Sequence, residues 1–243
     1  MHFYVFIPFM NDFSAAFAAA LTLLVGGDGD LLEIVGLSLQ VSLAAVFLAT
    51  LIGMPLGAAT ALYTFPGRKT LVVILNALMG LPPVVVGLIV YLMLSRMGPF
   101  GVLGLLFSPA AMIFAQVLLI IPIIAALSRQ IVEDLWDEYR EQLLSLGASP
   151  IRRMMTLLWD GRFSLLTAVL AGFGRASAEV GAVMIVGGNI DHVTRVMTTS
   201  IALEVSKGNL SLALGLGMVL IVLSLTINAA AFLIKEAAER RQA

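Results

Sequence analysis

Five long apolar stretches dominate the chain: Leu31–Tyr63, Leu71–Leu94, Pro109–Leu127, Phe163–Val186 and Leu210–Ile234. Each is about as long as a helix needs to be to cross the ~30 Å hydrocarbon core of a bilayer. The first is over-long, as expected of a helix that tilts or begins in the outer interface. Turn-forming or polar residues separate them at Phe65-Pro66-Gly67, Met97-Gly98-Pro99, a charged island over 129–162, and Gly187-Gly188-Asn189. This pattern predicts an all-α membrane protein with about five transmembrane helices, organised as a single domain over 1–243. Segment 1–30 reads differently. Met1–Met10 has no Lys or Arg to begin a signal peptide, and Asn11-Asp12 interrupts its apolar run. Phe13–Val25 is too short to span, so it is expected to lie in the interface, with Phe3, Tyr4, Phe6 and Phe9 at headgroup level. An additional span is the alternative. The sequence carries no internal repeat and no low-complexity tract.

Composition narrows the class. Hydrophobic residues fill 60% of 243 positions, charged ones only 12%, and the mean hydropathy is +1.04. A soluble domain carries about 25% charged residues, so the lipid bilayer is the expected surroundings. A net charge of −1 gives no basic stripe for a nucleic acid. The absence of cysteine rules out disulfides and thiolate chemistry, and His2 and His192 alone are too few for a histidine-built metal site. No G-x-x-x-x-G-K-[ST], H-E-x-x-H or G-x-S-x-G stretch occurs, so neither a P-loop nor a common hydrolase motif is present. No cofactor and no catalytic residue are expected.

Charge is concentrated. The island holds Arg129, Glu133, Asp134, Asp137, Glu138, Arg140, Glu141, Arg152, Arg153, Asp160 and Arg162, 11 of the 29 charged residues. Its middle, Glu141-Gln-Leu-Leu-Ser-Leu-Gly147-Ala-Ser-Pro150, reads as a helix broken at the glycine and restarted at Ser149-Pro150. A structured, charged helix–Gly–helix element between spans fits a soluble partner better than plain linker. If the spans alternate, ten basic residues (Arg68, Lys69, five arginines of the island, Lys235, Arg240 and Arg241) share one side, against Arg96, Arg195 and Lys207 on the other. The positive-inside rule then puts the island and the C-terminus in the cytoplasm and the N-terminus outside.

Within the spans, Pro55, Pro82-Pro83 and Pro122 are expected to kink their helices, either plainly or so as to shape a cavity that opens alternately to each side. Gly53-Met-Pro-Leu-Gly57 has the small-xxx-small spacing that lets helices approach closely. Span four carries the costliest feature. Arg175 and Glu179 lie four apart, flanked by Gly172, Gly174 and Gly181. A lone charge there costs roughly 2.5–3.5 kcal/mol, which pairing at this spacing lowers. The pair is either a structural ion pair or the lining of a water-filled path in which Arg175 meets an anion. After it, Val186-Gly-Gly-Asn189-Ile-Asp191-His192 and Val193-Thr-Arg195-Val-Met-Thr-Thr-Ser200-Ile-Ala-Leu-Glu204 form either a solvated loop with a short helix or a re-entrant segment or docking surface at the mouth of a pathway.

Taken together, these motifs resemble the membrane subunit of a bacterial or archaeal ATP-binding-cassette importer. Such subunits carry a cytoplasmic E-A-A-x-x-x-G loop followed, after nine residues, by an apolar residue and L-P. Glu141 and Gly147 have that separation, while Gln142 and Leu143 replace the alanines and Trp159-Asp160 stand at the L-P position. The resemblance implies that 129–162 is a coupling loop docking in a separate ATPase subunit, with Glu141, Leu146, Gly147, Ala148 and Ser149 at its centre. Arg175-Ala176, Glu179-Val-Gly-Ala182 and the run Met184–Ile190 with Thr194–Thr199 are similar to oxyanion permeases, those for tungstate above all, with molybdate and sulfate permeases sharing the first part. That implies a homodimer fed by an external solute-binding protein, with Arg175, Glu179 and Asn189 lining or gating the path. An ion-coupled secondary carrier, which commonly shows repeated halves, and a membrane scaffold are the rival classes.

Overall fold

A computed structural model describes residues 29–240, together with Ala18, Thr22 and Gly26; the expected interfacial segment 1–30 lies almost wholly outside the described residues. Nine α-helices are described: α1 (Gly29–Leu62), α2 (Arg68–Met79), α3 (Pro83–Leu94), α4 (Pro109–Ser145), α5 (Pro150–Asp160), α6 (Arg162–Ser177), α7 (Gly181–Gly187), α8 (Met197–Ser206) and α9 (Leu210–Arg240). A short 3₁₀ turn at Gly101–Leu103 precedes α4, and no strand occurs among the described residues. Helices α1, α4 and α9 are each long and apolar enough to cross a membrane. The pairs α2–α3 and α5–α6 have the length and composition of two more spans but bend by 105° and 76°.

The expected spans two and four are both discontinuous, and the 76° bend at Gly161 lies ahead of the break in span four. Span two breaks at Gly80-Leu81-Pro82, because prolines at 82 and 83 supply no N–H for the preceding turn and push the residue before them out of helical geometry. Span four breaks at Ala178-Glu179-Val180 between α6 and α7. Span three is the reverse case. Rather than ending before the charged island, α4 continues through Pro122 to Ser145 without interruption. At 37 residues it is about 55 Å long, well beyond the hydrocarbon thickness.

α1 and α4 pack along one another and form the spine of the fold. Gly57 explains how closely: a Cβ there would lie 2.4 Å from the Ala125 carbonyl oxygen and 2.9 Å from the Arg129 nitrogen. Only a residue without a side chain allows that approach, so the small-xxx-small spacing marks a real helix contact. Ala45, Ala49, Ile120, Ile124 and Phe173 form the core where α6 joins the pair. At the charged end, Ala58, Val132, Leu143 and Leu157 form a second core under the island. Near the opposite end Val86, Val90, Met112, Ala182 and Val186 bind α3, α4 and α7 together. Large apolar side chains such as Phe47, Leu51, Ile89, Leu92, Ile221 and Phe232 point outward, as they do in a chain solvated by lipid.

Candidate functional site: a broken helix and a charged knob

At the charged end α4 stops for a local reason. Gly147 adopts φ +64°, the left-handed region that other residues enter at a cost. Its N–H donates to the Leu144 carbonyl and the Ala148 N–H donates to that of Leu143, the paired bonds of a Schellman stop. Ser149 then opens α5 by accepting a bond from the Arg152 N–H at 3.4 Å, and Pro150 occupies the first helical position. The turn is tied down from two sides. Arg153 Nε donates to the Ala148 carbonyl at 2.8 Å while its guanidinium lies 6.0 Å from the Trp136 ring centre. Tyr63, just beyond α1, donates from its hydroxyl to the Pro150 carbonyl at 2.9 Å. The product is a rigid knob.

Glu141, Leu146, Gly147, Ala148 and Ser149 are thus contiguous on this knob, with Leu146 79% exposed. The structure adds residues that the sequence reading missed. Ile151, Met155 and Trp159 are all exposed, and at spacings of four they form one apolar stripe on α5. The opposite face, at Leu157, is fully buried. That spacing is readable in the sequence, set among Arg152, Arg153, Asp160 and Arg162. At the root of the knob Arg68 donates to the carbonyls of Thr60 and Ala61, the unpaired end of α1, and meets Glu133, which also accepts from Arg129 at 2.6 Å.

Within the fold, Arg175 and Glu179 come together, though not on one continuous helix. α6 ends at Ser177, and Glu179 stands in the break. Arg175 Nη2 lies 3.7 Å from Glu179 Oε2, within ion-pair range but too long for a hydrogen bond. The Glu179 side chain is 4% exposed and that of Arg175 is 34% exposed, so the arginine reaches accessible space from which the carboxylate is withdrawn. The buried carboxylate has another partner, since Glu179 Oε1 accepts the Ala182 N–H of α7 at 3.0 Å. A carboxylate before the first turn of a helix is favoured by the unpaired N–H groups there.

Three further elements meet at this break. Gln116 of α4, 3% exposed, donates from Nε2 to the Ala176 carbonyl at 3.2 Å. Thr198 of α8 donates from Oγ1 to the Glu179 carbonyl at 2.9 Å. Ser38 of α1 accepts the Met197 N–H at 2.8 Å and so fixes the start of α8. A small cavity of about 20 Å³ lies among Ser42, Gln116, Ser177, Glu179 and Thr198. Gln116 was legible as a lone amide in an otherwise apolar run; nothing in the sequence signalled its partner.

Asn189 does not join Arg175 and Glu179. It sits past the far end of α7, at φ +50°, with its side-chain oxygen bonded to the Thr199 hydroxyl at 2.8 Å. The segment around it is folded rather than loosely solvated. Thr194 donates to the Gly187 carbonyl at 2.6 Å and accepts the Ile190 N–H, Arg195 pairs with Asp191, and Thr194, Thr199 and Ser200 are buried. These hydroxyls, Ser200 apart, are spent on the segment itself. α7 and α8 are each too short to span; α7 starts at the break, and α8 returns to it through Thr198.

Residues 53–243 match the family described as binding-protein-dependent transport system inner membrane component. A "probable anion ABC transporter permease protein" of Haloferax volcanii is 39% identical over 82% of this chain and 88% of its own. Two proteins named "tungstate uptake system permease protein" are similar over more of the length. That of Peptoclostridium acidaminophilum is 38% identical over 93% of this chain and 100% of its own, and that of Campylobacter jejuni 35% over 92% of each. A "sulfate transport system permease protein" of Escherichia coli is 28% identical over 84% of this chain and 72% of its own. With the matched region covering the break, the knob and every helix from the middle of α1 onward, the chain belongs to the family of binding-protein-dependent inner membrane transport components.

Proposed function

We propose that this chain is the membrane-spanning subunit of an ATP-driven importer whose cargo is a tetrahedral oxyanion, tungstate in particular. The end-to-end similarity to two relatives named for tungstate uptake carries the choice of cargo. Physical chemistry supports the class. A single half-accessible guanidinium at a helix break offers a passing dianion favourable potential, and Glu179 withdrawn behind it keeps that attraction from becoming a trap. Asn189 serves as a gate residue by fastening the re-entrant segment to α8.

The chain works as a homodimer with the path along its two-fold axis. An external solute-binding protein delivers the anion to the outer face. Two separate ATPase subunits, bound at the cytoplasmic face, supply the energy, since no P-loop occurs in this chain. They grip the knob of residues 129–162, and the C-terminus lies on the same side, with the N-terminus outside. Leu146, Ile151, Met155 and Trp159 provide the apolar contact, and the flanking charges set the docking register. Because α4 runs unbroken from the knob to the core beside the break, a push on the knob is transmitted as rigid-body motion.

The test is elemental mass spectrometry of cells lacking this chain and of complemented cells, given tungstate, molybdate and sulfate separately and in competition. Tungsten accumulation that disappears on deletion, returns on complementation and resists excess sulfate is the expected result. Restoration of molybdenum or sulfur uptake in place of tungsten keeps the oxyanion class and replaces the cargo; no change in any of them refutes the proposal.

A further inference from the structure

Given the proposed path at Arg175 and Glu179, we infer that Gln116 and Thr198 are positioning residues of the transport cycle, latching the α6–α7 break from two different helices. A helix that stops inside a membrane leaves carbonyls short of partners along the chain, and lipid supplies no donors to replace them. At this break the Ala176 carbonyl already accepts the Glu179 N–H at 3.2 Å, and side chains from outside add the further donors. The Ala176 carbonyl receives Gln116 Nε2 from α4, and the Glu179 carbonyl receives Thr198 Oγ1 from α8. α8 is in turn held to α1 through Ser38. Two helices, one of them held to α1, therefore reach a gap of three residues. Its central residue, Glu179, has its carboxylate held by the first turn of α7 and 3.7 Å from the Arg175 guanidinium. The relative position of the two charges depends on whether the latch is made.

The latch is also built to open. Gln116 Oε1 is buried with no hydrogen-bond partner, and Gln116 lines the small cavity together with Ser42, Ser177 and Thr198. A cavity of about 20 Å³ with these polar groups on its wall is large enough for one water. A water beside the latch can take over the bonds of the amide or the hydroxyl at little enthalpic cost. The break thus has two bonded arrangements, direct and water-bridged, which is what a gating element needs if both the knob and the anion are to bias it. With the latch made, Glu179 stays withdrawn beside Arg175. With it open, α7 and α8 are free to move apart from α6.

Proteoliposomes carrying the complete transporter, this chain with its ATPase and binding protein, test the inference. Thr198→Val keeps the shape and removes the donor; Thr198→Ser keeps the donor. Both are assayed for ATP hydrolysis without loaded binding protein and for tungstate moved per ATP consumed. T198V should raise the unstimulated hydrolysis about five-fold and lower the transport ratio by a similar factor, the effect of one hydrogen bond, while T198S stays near the parent. Gln116→Leu, read in the same way, covers a failure of T198V to assemble. A parent-like T198V, a T198S as defective as T198V, hydrolysis and transport falling together at an unchanged ratio, or loss of assembly in both T198V and Q116L would each overturn the latch. The path reading fails separately, if Arg175→Gln transports normally.

Discussion

A guanidinium at a membrane helix break is either a strut or a handle, and the surroundings of Arg175 support the handle proposed for it. A strut would be withdrawn and bonded, whereas Arg175 is one-third exposed and holds Glu179 only at 3.7 Å. Glu179, by contrast, is bonded to the Ala182 N–H and needs no arginine to remain in place. Arg175→Gln should therefore assemble normally and reduce tungstate uptake at least about ten-fold, a loss of ~1.4 kcal/mol of favourable interaction, as read by tungsten accumulation at matched protein levels. Loss of protein from the membrane instead would make the arginine structural. Gly147 is a second position with a sharp expectation. A Cβ there meets nothing within 4 Å, so only the φ of +64° resists substitution. Gly147→Ala should cost about 1–2 kcal/mol at the turn and Gly147→Val more, uncoupling hydrolysis from uptake, while Gly147→Asn should stay closer to the parent. The ratio of ATP hydrolysed to tungstate imported measures all three. His192 offers a pH expectation. Its imidazole shares a 2.8 Å contact with Glu33, and that hydrogen bond, followed by the charges of Glu33, Asp191 and Asp30, raises its pKa. A raised folded-state value means the contact contributes fully below the ordinary histidine range near 6.5 and is lost as pH rises through the higher folded value. The hydrogen-exchange protection factor at the start of α1, measured against the intrinsic base-catalysed rate at each pH, should fall across that window, and His192→Gln should abolish that fall.

Helices were legible to different depths. α1 and α9 were visible as uninterrupted apolar runs, and the knob's start and stop signals, Gly147 and Ser149-Pro150, marked its geometry residue by residue. What the sequence hid was discontinuity. An apolar run such as Phe163–Val186 has the same hydropathy whether it is one helix or two, and here the break at Glu179 is held by Gln116 and Thr198, 60 residues upstream of Ala176 and 19 downstream of Glu179. Such partners are set by packing and have no local signature. Charge acted in the other direction: the apolar run of span three ends at Leu127 where the charges begin, yet the helix continues through them as α4, built on Val132 and Leu143. The element-level expectation concerns α5. Because the chain has no cysteine, single cysteines at Met155 and Trp159 report accessibility without background. Both should react with a membrane-impermeant maleimide only from the cytoplasmic side, and ATPase subunits should protect them. Reaction from outside would reverse the orientation; unchanged reactivity with ATPase bound would move the docking face elsewhere.

At the scale of the whole molecule, a continuous 37-residue helix joins a knob outside the membrane to the core beside a broken helix inside it, with α1 pressed along its length at Gly57. That contact is the mechanical spine. Gly57→Leu should force α1 and α4 apart, at a cost of about 1–3 kcal/mol or more, and lower the thermal stability of the detergent-solubilised protein, whereas substitution at Gly174, where a Cβ meets nothing within 4 Å, should be tolerated. On the proposed function, energy enters this spine at the knob and is spent at the break. The most direct measurement is tungsten accumulation in complemented cells after ATP is depleted while the membrane potential is held constant. Uptake that collapses with ATP and is indifferent to the potential is the expected result. Uptake that survives ATP depletion and follows the potential would contradict an ATP-driven importer and point to an ion-coupled carrier.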